Sequence, residues 1–187
     1  MSPAEANQGA GQGIALPRQA QRTVACRFVS DVIPLYEGVY PKRGRFLRLT
    51  IEAAERFTRG EISFGRFALT TTACRLRTAG DPEWGAAFQQ LQKVKGEGSD
   101  LSRAASMRMF ASNGAMGARF AVFAAAAGHM DKAFRWAKTA IRDEAARLGI
   151  ESGLSGDEAV AKGEELAAEW VEACAKRLGH AAPSKGT

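Results

Sequence analysis

Apolar residues recur every three or four positions along most of the chain, which is the period of an α-helix. In the first such segment, about residues 20–36, Val24, Phe28 and Val32 are spaced at i, i+4 and i+8. This spacing predicts a wide apolar face on one helix. Pro34 lacks the N–H that would bond one turn back, so we expect the helix to kink or begin again there.

Helix start and stop signals divide the rest of the chain. Gly38 and Pro41 predict the end of the first helix, and a second helix is predicted over Arg45–Arg59, ended by Gly60. The N-caps expected for the next helices are Ser63, Asp81, Ser99 or Asp100, Asp131 and Ser155, the last forming a capping box with Glu158. Residues placed on the buried stripes include Phe46, Leu49, Phe57, Phe64, Phe67, Leu76, Trp84, Phe88, Phe134, Ile141, Leu148, Leu166, Trp170 and Cys174.

The Ala-rich segment 101–127 is predicted as one long helix or as two helices broken near Asn113–Gly114. Its small residues let helices approach closely, which predicts that it forms the buried centre of the domain. The expected fold is all-α, an antiparallel bundle of about seven amphipathic helices built as stacked hairpins. We expect a lead-in at 1–17, one domain at 18–179, with Gly179 ending the last helix, and a tail at 180–187.

Composition agrees with a globular domain, since 45% of the 187 residues are apolar and 25% are charged. The most apolar window, 120–128, is too short to span a bilayer, and the N-terminus lacks the pattern of a secretory signal. A cytoplasmic protein is therefore expected. The three cysteines, Cys26, Cys74 and Cys174, are far apart and are expected to be buried free thiols.

Catalytic and metal-binding patterns are sparse. The two histidines, His129 and His180, lie at predicted helix ends, where a hydrogen-bonded role is more common than catalysis. The chain contains no nucleophile elbow, phosphate-binding loop or Glu-x-x-His pair. We therefore expect no catalytic residue, no metal and no cofactor, and a protein that is not an enzyme.

Charge is distributed unevenly. Residues 1–80 carry 12 basic and 6 acidic side chains, whereas residues 81–187 carry 14 of each. The asymmetry indicates an acidic partner, either a protein surface or a nucleic acid. A protein is favoured, because acidic residues lie among the arginines and no DNA-recognition helix follows a tight turn. The basic candidates are Lys42, Arg43, Arg45, Arg48, Arg56 and Arg59.

The N-terminal region resembles an all-helical immunity protein family found beside bacterial polymorphic toxins. The matching pieces are Cys26, VIPLYE (32–37), Pro41, Arg45, Arg48, IEAAER (51–56) and RGE (59–61), and the later AAAAGHMDKAFRWAK (124–138) is similar to an Ala-rich segment of the family. The match is continuous over about 40 residues and patchy beyond them. The chain departs from the pattern with basic residues at 42–43, where the family has an acid, and with Phe46 in place of a proline.

The resemblance implies a non-enzymatic protein that binds a cognate toxin and occludes it. The implied contact residues surround the first loop and include Glu37 together with the basic cluster. The alternative is a regulator of a mobile element or phage that binds nucleic acid or a nucleoprotein through its basic N-terminal face. The oligomeric state stays open.

Overall fold

The computed structural model describes residues 17–80, 82–93 and 99–181, and every regular element in these ranges is helical. The lead-in at 1–16, the tail at 182–187, the predicted cap Asp81 and most of the loop at 95–100 lie outside the described residues. The helices are α1 Arg18–Val29, α2 Ile33–Val39, α3 Pro41–Thr58, α4 Phe64–Arg77, α5 Pro82–Lys93, α6 Ser99–Ala126, α7 Met130–Glu151 and α8 Gly156–Ala181. A 3₁₀ turn, Ser30–Val32, joins α1 to α2.

Two prolines begin helices at the N-terminal corner. Pro34 lies in the first turn of α2, where its missing N–H costs nothing, so the predicted restart is confirmed. The first predicted segment therefore consists of two helices, and the predicted number of about seven helices is not confirmed. Pro41 opens α3, so the predicted start at Arg45 is wrong by one turn. Pro41 belongs to the helix because its fixed φ suits the first helical position.

The predicted caps are partly confirmed. Ser63 accepts a hydrogen bond from the Arg66 N–H at 3.4 Å, and Ser155 and Glu158 form the capping box. Asp131 does not cap α7, because the N-cap position is occupied by His129, two residues earlier, and Asp131 lies in the first turn. Nor does Gly179 end α8, which continues to Ala181. Glycine stops a helix only where the chain adopts a left-handed conformation, as Gly128 does at φ 76°.

A single continuous α6 passes through the centre of the domain, which decides between the two predicted alternatives. It packs on α7 through glycine and alanine. A Cβ on Gly117 would lie 3.1 Å from both the Ala140 nitrogen and the Trp136 carbonyl oxygen, so the two backbones nearly touch. Many small residues of α6 and α7 are buried, which confirms the predicted buried centre. They include Ala115, Ala118, Ala121, Val122, Ala125, Ala133, Ala137 and Ala140.

The contact between α7 and α8 is closer still. A Cβ on Gly163 would lie 2.5 Å from the Arg142 carbonyl oxygen, and one on Gly149 would lie 3.1 Å from the Ala159 Cβ. Two glycines, one on each helix, therefore set the separation of this pair. The three cysteines are free and buried, as predicted, and burial raises the pKa of the Cys26 thiol to about 12.

Two arginines of α1 stabilise the fold by binding the C-terminal end of α6. Arg22 donates Nε to the Ala126 carbonyl oxygen at 2.8 Å, and Arg18 donates Nε to that of Ala127 at 3.3 Å. Both carbonyls lie at the C-terminal end of α6, where a positive charge is favourable. The Arg22 guanidinium also lies 5.0 Å from the Phe57 ring centre and 5.5 Å from that of Phe67. Part of the N-terminal charge excess is therefore structural.

Several residues predicted to be buried are exposed. Phe64 and Leu76 of α4 are 68% and 71% exposed, and Leu49 of α3 and Leu148 of α7 are also exposed. The two residues of α4 are exposed because this helix packs mainly on α3, through one narrow face that includes Phe67 and Cys74. Its threonine-rich centre, for which a strand was also considered, is helical. Its threonines bond to carbonyls one turn back, as in Thr71 Oγ1 to Phe67 at 3.0 Å.

Candidate protein-binding surface

The predicted contact residues do not form one cluster. Glu37 lies in α2, and the six basic residues are spread along α3 from its first turn to the residue just after its end. At 1.5 Å per residue, Arg45 and Arg59 lie about 21 Å apart along the helix axis. The structure therefore divides the predicted set into three groups with different surroundings.

The first group is an internal salt bridge. Arg48 donates Nε and Nη2 to the two carboxylate oxygens of Glu37, at 2.6 and 2.5 Å. The hydrogen bonds from Arg48 hold the pKa of the Glu37 carboxyl below its usual value. Gly44 makes room for this bridge, because a Cβ there would overlap the Glu37 Cγ. The pair joins α2 to α3, so much of its charge is already neutralised within the chain.

The second group is a charge network at the C-terminal end of α3. Arg56 and Arg59 donate Nε to Glu61 at 3.3 and 2.5 Å, and they lie 4.0 Å from Glu52 and Glu55 respectively. Hydrogen bonding from Arg59 lowers the pKa of Glu61. Three carboxylates face two guanidinium groups, so this end of α3 does not present a positive surface.

The third group keeps its charge. Within the described ranges, Lys42, Arg43 and Arg45 have no carboxylate within 4 Å. The Arg43 Nη1 donates to the Gly80 carbonyl oxygen at 2.9 Å, and a backbone carbonyl leaves the positive charge in place. Arg45 lies exposed, with its guanidinium 4.9 Å from the ring centre of Phe46.

The bond from Arg43 to Gly80 brings the start of α3 to the end of α4. The last turn of α4 carries Arg77, which is exposed and has no carboxylate partner among the described residues. We call Lys42, Arg43, Arg45 and Arg77 the cationic corner. Arg77 was not a predicted site residue, although the sequence contained a signal, since residues 62–80 contain three arginines and no acidic residue.

The histidine at the α6–α7 junction lies next to an arginine of α1. The His129 Nε2 lies 3.5 Å from the Arg18 Nη2, and both groups are exposed. Across the described ranges, no group of three His, Cys, Asp or Glu side chains could hold a metal ion. Of the described helices, none has both the length and the apolar character needed to cross a membrane.

Comparisons with known proteins give no relative for this chain. No protein-family model, no curated protein and no solved structure matches it. The resemblance to the toxin-immunity family is carried by the residues quoted above and stays a prediction.

Proposed function

We propose that this chain is a non-enzymatic protein-binding module that docks an acidic surface of a partner protein through its cationic corner. The resemblance to immunity proteins makes a cognate toxin the proposed partner. The observation that carries the proposal is that the basic residues along α3 differ in whether they have a carboxylate partner. Arg48, Arg56 and Arg59 have carboxylate partners within the chain, whereas Lys42, Arg43 and Arg45 have none described.

The physical reason is complementarity of charge. Cations held close together without counter-charges repel one another, and an acidic partner surface removes that repulsion on binding. Such a surface also raises the association rate, in a manner that weakens as salt screens charges beyond about 8 Å at physiological ionic strength. The cationic corner therefore predicts binding that is steeply dependent on salt.

We also propose that the helices form an antiparallel bundle of stacked hairpins. Its support comes from residue pairs across two interfaces. Gly114 approaches Ala140 and Glu144, whereas Gly117, further along α6, approaches Trp136 and Ala140. Between α7 and α8 the order is likewise reversed, since Gly149 meets Ala159 and Gly163 meets Arg142. In this arrangement α6–α8 form a closely packed base, and α3 and α4 present the cationic corner.

The experiment measures binding of the protein encoded in the adjacent reading frame, using the full chain. Lys42→Glu/Arg45→Glu reverses two exposed charges that make no described hydrogen bond, and it should weaken binding about tenfold or more at low salt. The matched control is Lys132→Glu/Arg135→Glu, which makes the same charge change at exposed positions of α7. The control should stay within about twofold of the wild type.

Three results would refute the proposal. The neighbouring protein could fail to bind, or the two charge-reversal variants could weaken binding equally. The third is a salt-dependent complex with duplex DNA that Lys42→Glu/Arg45→Glu abolishes, which would make the cationic corner a nucleic-acid surface.

A further inference from the structure

The outward side of α4 carries an apolar seam that no described residue covers. Leu69 and Leu76 are 73% and 71% exposed, and they lie seven residues apart, which places them on the same side of the helix two turns apart. Thr72 and Ala73 lie between them and are also exposed. Large residues at heptad spacing with small residues between them are what one helix offers to another. We call these four residues the α4 seam.

A groove continues the seam towards α6. It has a volume of about 160 Å³ and lies between α4 and the C-terminal end of α6. Its lining residues are Phe67, Thr71, Thr72, Arg75, Phe123, Ala126 and Ala127. Because Thr72 belongs to both the seam and the groove, the two form one continuous surface. A ridge of apolar side chains from another helix fits a surface of this shape.

The charges beside the seam decide what can occupy it. The helix carries Arg66, Arg75 and Arg77 and no acidic residue, and these arginines have no ion pair with any residue in the described ranges. A second copy of this chain would bring arginine against arginine, which is unfavourable. A lipid surface suits a helix with a continuous face of large apolar residues, whereas this face has threonine and alanine between its two leucines. The complementary occupant is a helix with carboxylates beside its apolar residues.

We propose that the α4 seam and its groove bind an amphipathic, acidic helix of the partner protein. This inference rests on the proposed function and deepens it, because it names the secondary structure and the charge pattern of the docking element. The leucines supply contact with the apolar stripe of that helix, and the arginines beside them pair with its carboxylates. Binding would cover leucines that are otherwise exposed to water.

The test uses two synthetic peptides of about 21 residues, that is, three heptads. One places leucine at heptad spacing with glutamate on both sides, and the other has the same composition in an order that destroys the heptad. Fluorescence anisotropy with the full chain should show that the patterned peptide binds about tenfold or more tightly than the reordered one. Leu69→Ser/Leu76→Ser should remove most of that preference, whereas Leu148→Ser, at a 49% exposed leucine of α7, should not.

The inference is overturned if the two peptides bind equally, or if the leucine substitutions change nothing. It is also overturned if Leu69 and Leu76 instead mediate self-association in sedimentation, or binding to phosphatidylcholine vesicles containing about one-third phosphatidylserine. Failure of the proposed function looks different. In that case the patterned peptide binds through the seam while the neighbouring protein does not bind at all. Conversely, if that protein binds through the cationic corner and ignores the leucine changes, only the present inference fails.

Discussion

Replacing Gly163 with alanine tests how closely α7 and α8 pack. The new Cβ would lie 2.5 Å from the Arg142 carbonyl oxygen, whereas heavy atoms in van der Waals contact lie about 3.5 Å apart. The oxygen belongs to the backbone, so it cannot rotate away as a side chain would. The two helices must therefore separate by up to about 1 Å, which weakens the contacts between their buried faces.

The expected loss can be worked from two opposing effects. Overpacking of this kind costs about 1–3 kcal/mol, and a fixed backbone atom places Gly163→Ala in the upper part of that range. Alanine recovers about 1 kcal/mol, because it favours the helix more than glycine does. The free energy of unfolding should therefore fall by about 1–2 kcal/mol, which corresponds to a decrease of roughly 2–8 °C in Tm for a chain of this size.

Urea unfolding followed by circular dichroism measures this change, and Gly65→Ala is the matched control. Gly65 lies in α4 with no atom within 4 Å of its added Cβ, so the control should gain about 0.4–1 kcal/mol. Gly117→Ala should fall between the two, since its nearest backbone atoms are 3.1 Å away. If Gly163→Ala were stabilised as much as the control, α7 and α8 would not pack as described.

Three further predictions concern single side chains. Arg22→Ala removes a hydrogen bond to the end of α6 and two ring contacts, so it should lower the free energy of unfolding by about 1–3 kcal/mol in thermal unfolding. The control is Arg27→Ala at an exposed position, which should change this free energy by less than about 0.5 kcal/mol. Burial raises the pKa of the Asp143 carboxyl above 3.8, although Arg142 donates Nε to this carboxylate at 2.8 Å. Between the pKa values of the unfolded and folded states, the folded protein therefore keeps a proton that the unfolded chain has lost. The wild type should therefore lose stability relative to Asp143→Asn as the pH rises through and above that value, and the opposite trend in urea unfolding would contradict this. Cys26 and Cys174, with pKa values raised by burial to about 12 and about 11, should resist Ellman's reagent at pH 8 in the native protein and react after unfolding.

Local signals account for most of what the sequence predicts correctly. The caps at Ser63 and Ser155 depend on residues within three positions, and the helical period depends on residues within two turns. The start of α3 was missed because Pro41 can end one helix or begin the next. The choice depends on Tyr40, whose φ of −127° and ψ of 65° turn the chain between α2 and α3.

The candidate surface was harder to predict because it depends on which elements meet. An apolar period shows that α4 has an apolar face, but it does not show whether a neighbour covers it, so Leu76 was placed in the core. In the same way, the bridge between Arg48 and Glu37 joins two helices and depends on the missing side chain of Gly44. No spacing rule within one helix distinguishes Arg48 from Arg45.

The partners that each cation has within the chain give a physical reason to look for a binding site at the cationic corner. Arginines that the fold requires have identifiable partners, as Arg22 has a carbonyl oxygen at 2.8 Å and Arg48 has the carboxylate of Glu37. Lys42 and Arg45 have no such described partner, and like charges near one another oppose folding slightly. Their presence at the start of α3, the helix on which α4 packs, is therefore not explained by the stability of the chain itself. A partner that supplies both carboxylates and an apolar helix face accounts for the two features together.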